Sequence, residues 1–153
     1  MPETHLFHAN CICLSGQGIL ITGPSGSGKT QTSLAVYRRA TSSQVSCKLI
    51  SDDQTLLQVG REPSKLMATC PTEIQGKIEI FGYGIIEDPS IFIDRADVTL
   101  VANLVDRKDV GRMAPVEKHN VCGVHLPQLL LPMGNPELSA TAIIAAICGH
   151  VRL

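Results

Sequence analysis

Residues 23–30 read Gly23, Pro24, Ser25, Gly26, Ser27, Gly28, Lys29, Thr30, directly after the apolar run GILIT at 18–22. A glycine, four free positions, then Gly-Lys-Thr is the P-loop spacing. It constrains the fold more than any other feature, because such a loop has to join the end of a buried strand to the start of a helix. Backbone N–H groups and the helix N-terminus then surround phosphate oxygens, a lysine neutralises their charge, and a hydroxyl holds magnesium. Lys29 and Thr30 stand in those last two positions, and all eight residues are candidates for nucleotide binding.

The flanks supply the required context. LFHANCICL at 6–14 predicts a strand, SGQG at 15–18 a hairpin turn and GILIT a second, buried strand. After the loop, Thr30 to Arg39 carries Leu34, Ala35 and Arg38 at helical spacing, with arginines in the last turn where the dipole favours them. KLIS at 48–51 predicts a short buried strand ended by Asp52 and Asp53, with TLLQV at 55–59 as its antiparallel continuation. KIEIFGYGIIE at 77–87 alternates and then breaks at two glycines, which suggests close approach of its backbone to a ligand or another chain. VTLVANLV at 98–105 predicts a further strand, and the charged, Pro/Gly-containing stretch 106–120 a mobile loop. Asn135 as cap, Pro136 at the first helical position, Glu137 and the apolar LSATAIIAAIC before Gly149 predict a C-terminal helix.

At 153 residues the chain is expected to form one domain, 1–153. Hydrophobic residues make up 44% but aromatics only 3%, so the core must be aliphatic; that suits an α/β fold, a mixed sheet covered by helices. The formal charge of −1 argues against nucleic acid as a partner. No stretch is apolar enough to span a bilayer and the N-terminus has no export signal, which predicts a cytoplasmic protein without a membrane partner. Six cysteines form no Cys-x-x-Cys pair and are expected as reduced, mostly buried thiols. Cys122 with His119 and His125 is the one grouping that resembles metal ligands, and it lacks a matching second cluster.

Asp52 and Asp53 occupy the place where P-loop proteins set a carboxylate facing metal and phosphates, although Ser-Asp-Asp is also turn chemistry. Adjacent residues of a strand face opposite ways, so both can serve one site only if the strand ends there. LSGQG at 14–18 precedes the loop, whereas the ABC-transporter signature follows it. Residues 103–106 read Asn-Leu-Val-Asp rather than the guanine-specifying Asn-Lys-x-Asp, so neither ATP-driven transport nor a GTPase switch is supported.

Taken together, HAN at 8–10, GxGxLITGPSGSGKT, SDD at 51–53 and GKIEIFGYGII at 76–86 resemble the bacterial HPr kinase/phosphorylases over nearly the whole chain. Because it starts almost directly at the catalytic part, and carries an Arg112-Met113 pair, the chain is similar to the short alphaproteobacterial form. The resemblance implies a catalytic core like that of the nucleotide-dependent phosphoenolpyruvate carboxykinases. It also implies transfer of the γ-phosphoryl of ATP, with Mg2+, to a serine of an HPr-like phosphocarrier, and in many members the reverse phosphorolysis. Lys29 would contact the phosphates, Thr30 and Glu79 would hold magnesium, and Asp53, ahead of Asp52, would take the serine proton. Asp52, His8 and Arg112 would complete the site, with the C-terminal helix and the 106–120 loop as the docking surface. The family's hexameric assembly stays open for this chain.

By pattern alone His8 is also a half-buried strand histidine, Glu79 a solvent-facing strand residue and Arg112 a solvated side chain. Three departures bear on the chemistry: Phe81 replaces the family's signature arginine, Gln31 stands where an acidic residue is usual, and 127–138 contains no Lys or Arg. They predict a kinase with weak or absent phosphorolysis, since a ring cannot replace a bidentate phosphate partner. A P-loop kinase of a small molecule and a nucleotide-binding regulatory module without transfer activity remain as alternatives.

Overall fold

The computed structural model describes residues 3–62, 65–112 and 117–149. In chain order the strands and helices are β1 (Thr4–Phe7), β2 (Ala9–Leu14), β3 (Gln17–Thr22), α1 (Lys29–Ser42), β4 (Cys47–Ser51), β5 (Thr55–Val59) and β6 (Leu66–Thr69). They continue with β7 (Lys77–Ile80), β8 (Gly84–Glu87), β9 (Arg95–Val105), β10 (Glu117–Val121), β11 (Val124–Pro132) and α2 (Pro136–Cys148). Nine strands make one curled mixed sheet in the order β1-β5-β6-β9-β3-β2-β4, with β11 joining β9 and β10 outside it; β7 and β8 form a separate hairpin.

The β2–β3 hairpin turns on Ser15 and Gly16, both with positive φ (51° and 78°), the backbone that a two-residue turn between twisted strands requires. Cys122 and Gly123 repeat this between β10 and β11. β9 pairs antiparallel with β6 through residues 95–97, then parallel with β3, and parallel with β11 through 101–105. Its register against β3 jumps from Gly18↔Val98 to Ile19↔Leu100, leaving Thr99 as an extra residue. That bulge reverses the inside and outside of the strand. Val98 before it packs with Leu20, Leu57 and Leu66 in the core between the curled halves of the sheet, whereas Leu100, Ala102 and Leu104 after it face the core beneath α1 and α2.

Several sequence expectations are corrected. The single strand over 6–14 is broken at His8, because β1 pairs with β5 while β2 pairs with β3 and β4. β5 does not pair with β4 but with β1 and β6. The glycines of 77–87 lie in the turn between β7 and β8: Gly82 and Gly84 have φ of 85° and 129°, and an added Cβ on either would meet nothing within 4 Å among the described residues, so this backbone is open on its outer side. The stretch 106–120 holds a short 3-10 turn at Arg107–Asp109 and the first residues of β10; residues 113–116, Met113 among them, lie outside the described residues. Register on β10 and β11 sets His119 opposite Leu126 and His125 opposite Asn120, so the two histidines project to opposite faces. Among the described residues no helix is long and apolar enough to cross a membrane.

Candidate active site

β3, β4, β9 and β11 run in the same direction and end along one edge of the sheet, where β2 begins. A crevice outside the carboxyl ends of strands is where open α/β sheets bind ligands. The glycine-rich loop leaves β3 at this edge. Gly23 has φ 154°, and a Cβ there would lie 2.6 Å from Ser27 Oγ and 3.1 Å from Leu104 Cβ, so packing of the loop against β9 demands glycine. The Ser27 N–H donates to the Pro24 carbonyl at 3.0 Å, and Ser27 Oγ is buried without a partner among the described residues. Gly28, left-handed at φ 95°, precedes α1, and among the described residues no side chain caps the helix N-terminus.

Lys29 is 8% exposed, and its ammonium donates to the carbonyls of Gly23 (3.0 Å) and Pro24 (3.3 Å). Among the described residues no carboxylate forms an ion pair with it. The lysine thus lies across its own loop.

In the first turn of α1, the Thr30 hydroxyl donates to Asp52 Oδ1 at 2.6 Å. The same oxygen accepts from Asn10 Nδ2 at 2.7 Å, and Asp52 Oδ2 accepts the Glu79 backbone N–H at 3.0 Å. β4 ends at Ser51, so the two aspartates leave the strand. Asp52 closes against α1. Asp53 is exposed, takes a left-handed φ of 65°, and its carboxylate has no hydrogen-bond partner among the described residues.

The structure therefore brings Thr30, Asp52 and Glu79 together beside the glycine-rich loop, with Asp53 adjacent. The Glu79 side chain is exposed on β7. His8 is exposed at the break before β2, two residues from Asn10. Arg112 is exposed beyond the 3-10 turn, and among the described residues no hydrogen bond or ion pair links it to the others.

Sequence reasoning missed Asn10 and Ser33 as parts of this cluster. Asn10 Nδ2 also donates to Ser33 Oγ (3.2 Å), and Ser33 Oγ donates to the Lys29 carbonyl (3.1 Å). A signal was present: an asparagine inside the apolar strand ANCICL has to find partners once buried. Thr22 donating to Asn103 Oδ1 at 3.1 Å, across β3 and β9 at the base of the loop, offered no such signal.

All six cysteines are free, and Cys11, Cys13, Cys47 and Cys70 are buried. Burial pushes the Cys47 thiol up to about 12 and raises Cys11 further, so both are neutral thiols at physiological pH.

A family model described as the HPr Serine kinase C-terminal domain matches residues 1–153. An HPr kinase/phosphorylase of Bacillus mycoides is 30% identical over 162 residues, which cover 100% of this chain and 50% of the relative. One of Clostridium acetobutylicum is 28% identical over 160 residues, 99% of this chain and 49% of the relative. The chain spans about half the length of the curated relatives it matches. A solved structure, the Hpr(Ser) kinase/phosphatase from Coxiella burnetii, superposes with a TM-score of 0.78 at 28% identity, over 95% of this chain and 97% of that one.

Proposed function

The chain belongs to the HPr Serine kinase C-terminal domain family, and on that premise we propose that it transfers the γ-phosphoryl of ATP to a serine of an HPr-like phosphocarrier protein. One observation carries this reading: the first-turn hydroxyl of the helix after the glycine-rich loop is bonded to a carboxylate just past the end of β4, Thr30 to Asp52 at 2.6 Å. A hydroxyl and carboxylates at this junction are hard oxygen donors, which fit Mg2+ rather than a softer ion. Thr30 and Glu79 would hold that ion, which when bound neutralises phosphate charge.

The chain's own residues divide the remaining tasks. Lys29, already directed into the loop, contacts the phosphates. Asp52 orients the Thr30 hydroxyl, and Asp53, exposed and unengaged, takes the proton of the incoming serine. Such a base contributes roughly 10²–10⁴-fold. Exposure suits an acceptor presented on another polypeptide. His8 and Arg112 complete the site from flanking segments. Phe81, 100% exposed at the tip of the β7–β8 hairpin where the family carries arginine, offers no charge to inorganic phosphate, which supports a kinase with little phosphorolysis.

Incubation with labelled ATP, Mg2+ and a panel of serine-bearing phosphocarriers tests this. Label is expected on one carrier, and its rate of appearance should fall by about 10²-fold or more in Lys29→Ala and Asp53→Asn. ATP binding without transfer would replace the proposal with a regulatory module, and label on a small molecule with a small-molecule kinase. Pyrophosphate release from the phosphorylated carrier at a rate rivalling the forward reaction would overturn the assignment to Phe81.

A further inference from the structure

We propose that Asn10 is a positioning residue that fixes both aspartates, holding Asp52 through its amide N–H and Asp53 through its amide oxygen. The chemistry it serves rests on the proposed function; the geometry does not. Asn10 is the second residue of β2 and 1% exposed, between the core residues Ala9 and Cys11. Nδ2 donates to Asp52 Oδ1 at 2.7 Å and to Ser33 Oγ at 3.2 Å, and Oδ1 accepts the Asp53 N–H at 3.0 Å. Both donor hydrogens and the acceptor oxygen are thus in use. The amide has a single workable orientation. Flipped, its oxygen would face a carboxylate oxygen and its NH2 would face a backbone N–H.

Three elements meet on this one side chain. Ser33 ties it to the first turns of α1 through the Lys29 carbonyl, Asp52 to the end of β4, and Asp53 to the turn before β5. Asp53 sits at φ 65°, a region a residue with a Cβ seldom adopts. Its backbone N–H is satisfied there by Asn10. Asp52 has Thr30, Glu79 and Asn10 as donors, so loss of Asn10 frees one side of the carboxylate next to the Thr30 hydroxyl. A displacement of about 1 Å in such a group is worth on the order of 10²-fold in rate.

Two variants separate the arms. Asn10→Ala removes donor and acceptor, whereas Asn10→Asp keeps an oxygen for the Asp53 N–H and replaces the donor to Asp52 with a carboxylate oxygen that repels it. Hydrogen exchange at the Asp53 amide is expected to speed up by about tenfold or more in Asn10→Ala and to stay within about threefold of the parent in Asn10→Asp. In phosphotransfer, measured well below each variant's unfolding temperature, kcat should drop by about 10- to 100-fold in both, with KM for ATP within about threefold. Unchanged Asp53 exchange in Asn10→Ala overturns the proposal, as does a lowered unfolding temperature with kcat intact in both variants. If the parent protein transfers no phosphoryl group, the function proposed above fails and the exchange arm alone decides for or against Asn10. If Asn10→Ala does not fold, the proposal stands on parent-like exchange and lowered kcat in Asn10→Asp and falls if either is missing.

Discussion

Asp52 and Asp53 are chain neighbours in opposite circumstances: one carboxylate accepts hydrogen bonds from a threonine hydroxyl, an asparagine amide and a backbone N–H, the other meets solvent. The sequence limited the possibilities, since two adjacent carboxylates can share a site only where the strand stops. It did not reveal which of them α1 would engage. Cysteine chemistry is also decided residue by residue. Burial holds the Cys47 thiol at about 12 against an ordinary 9.0, with Cys13 adding to the rise and Lys48 opposing it. The unfolded chain therefore releases a proton that the native chain keeps. This contribution to stability is fully present below pH 9 and is lost as the pH climbs from there toward 12. Urea midpoints across that window should fall with rising pH, and fall less steeply in Cys47→Ala; an identical slope in the two proteins would contradict the assignment.

The two helices begin in contrasting ways. α2 is closed at its start by Asn135, whose Oδ1 accepts the Leu138 N–H at 3.2 Å, with Pro136 in the first turn and left-handed Gly149 at the far end. Each of these features was legible in the sequence because capping is local chemistry. Asn135→Ala is expected to lower stability by about 1 kcal/mol and Asn135→Ser by much less, measured by urea unfolding. α1 instead leaves its N-terminus uncapped behind Gly28, the end that faces the site. Strand partners were less legible than strands. TLLQV was recognisable as extended, but pairing with β1 and β6 rather than β4 depends on a chain path between sheet halves that no local pattern encodes.

Arg39 fastens the helical layer, its guanidinium donating to Thr141 Oγ1 at 2.5 Å near the start of α2. On the other side of that layer, β9 belongs to both halves of the curled sheet and contributes to both cores. Neither half can lose β9 without exposing its apolar interior. A single cooperative unfolding transition is therefore expected, with calorimetric and van't Hoff enthalpies in agreement. Two resolved transitions would show that the halves unfold separately.

The sequence by itself determined the strand-loop-helix unit around Gly23–Thr30, the C-terminal helix and the family, because each rests on residue types at short, fixed spacings. Only the tertiary structure decided that Asn10, Thr30, Ser33 and Asp52 form one hydrogen-bonded cluster and that Phe81 stands free at a hairpin tip. The four residues of the cluster are up to 42 positions apart, and what joins them is the direction and register of strands. Those are set by burial of two cores on the two faces of one sheet, a global quantity that no stretch of the chain carries alone.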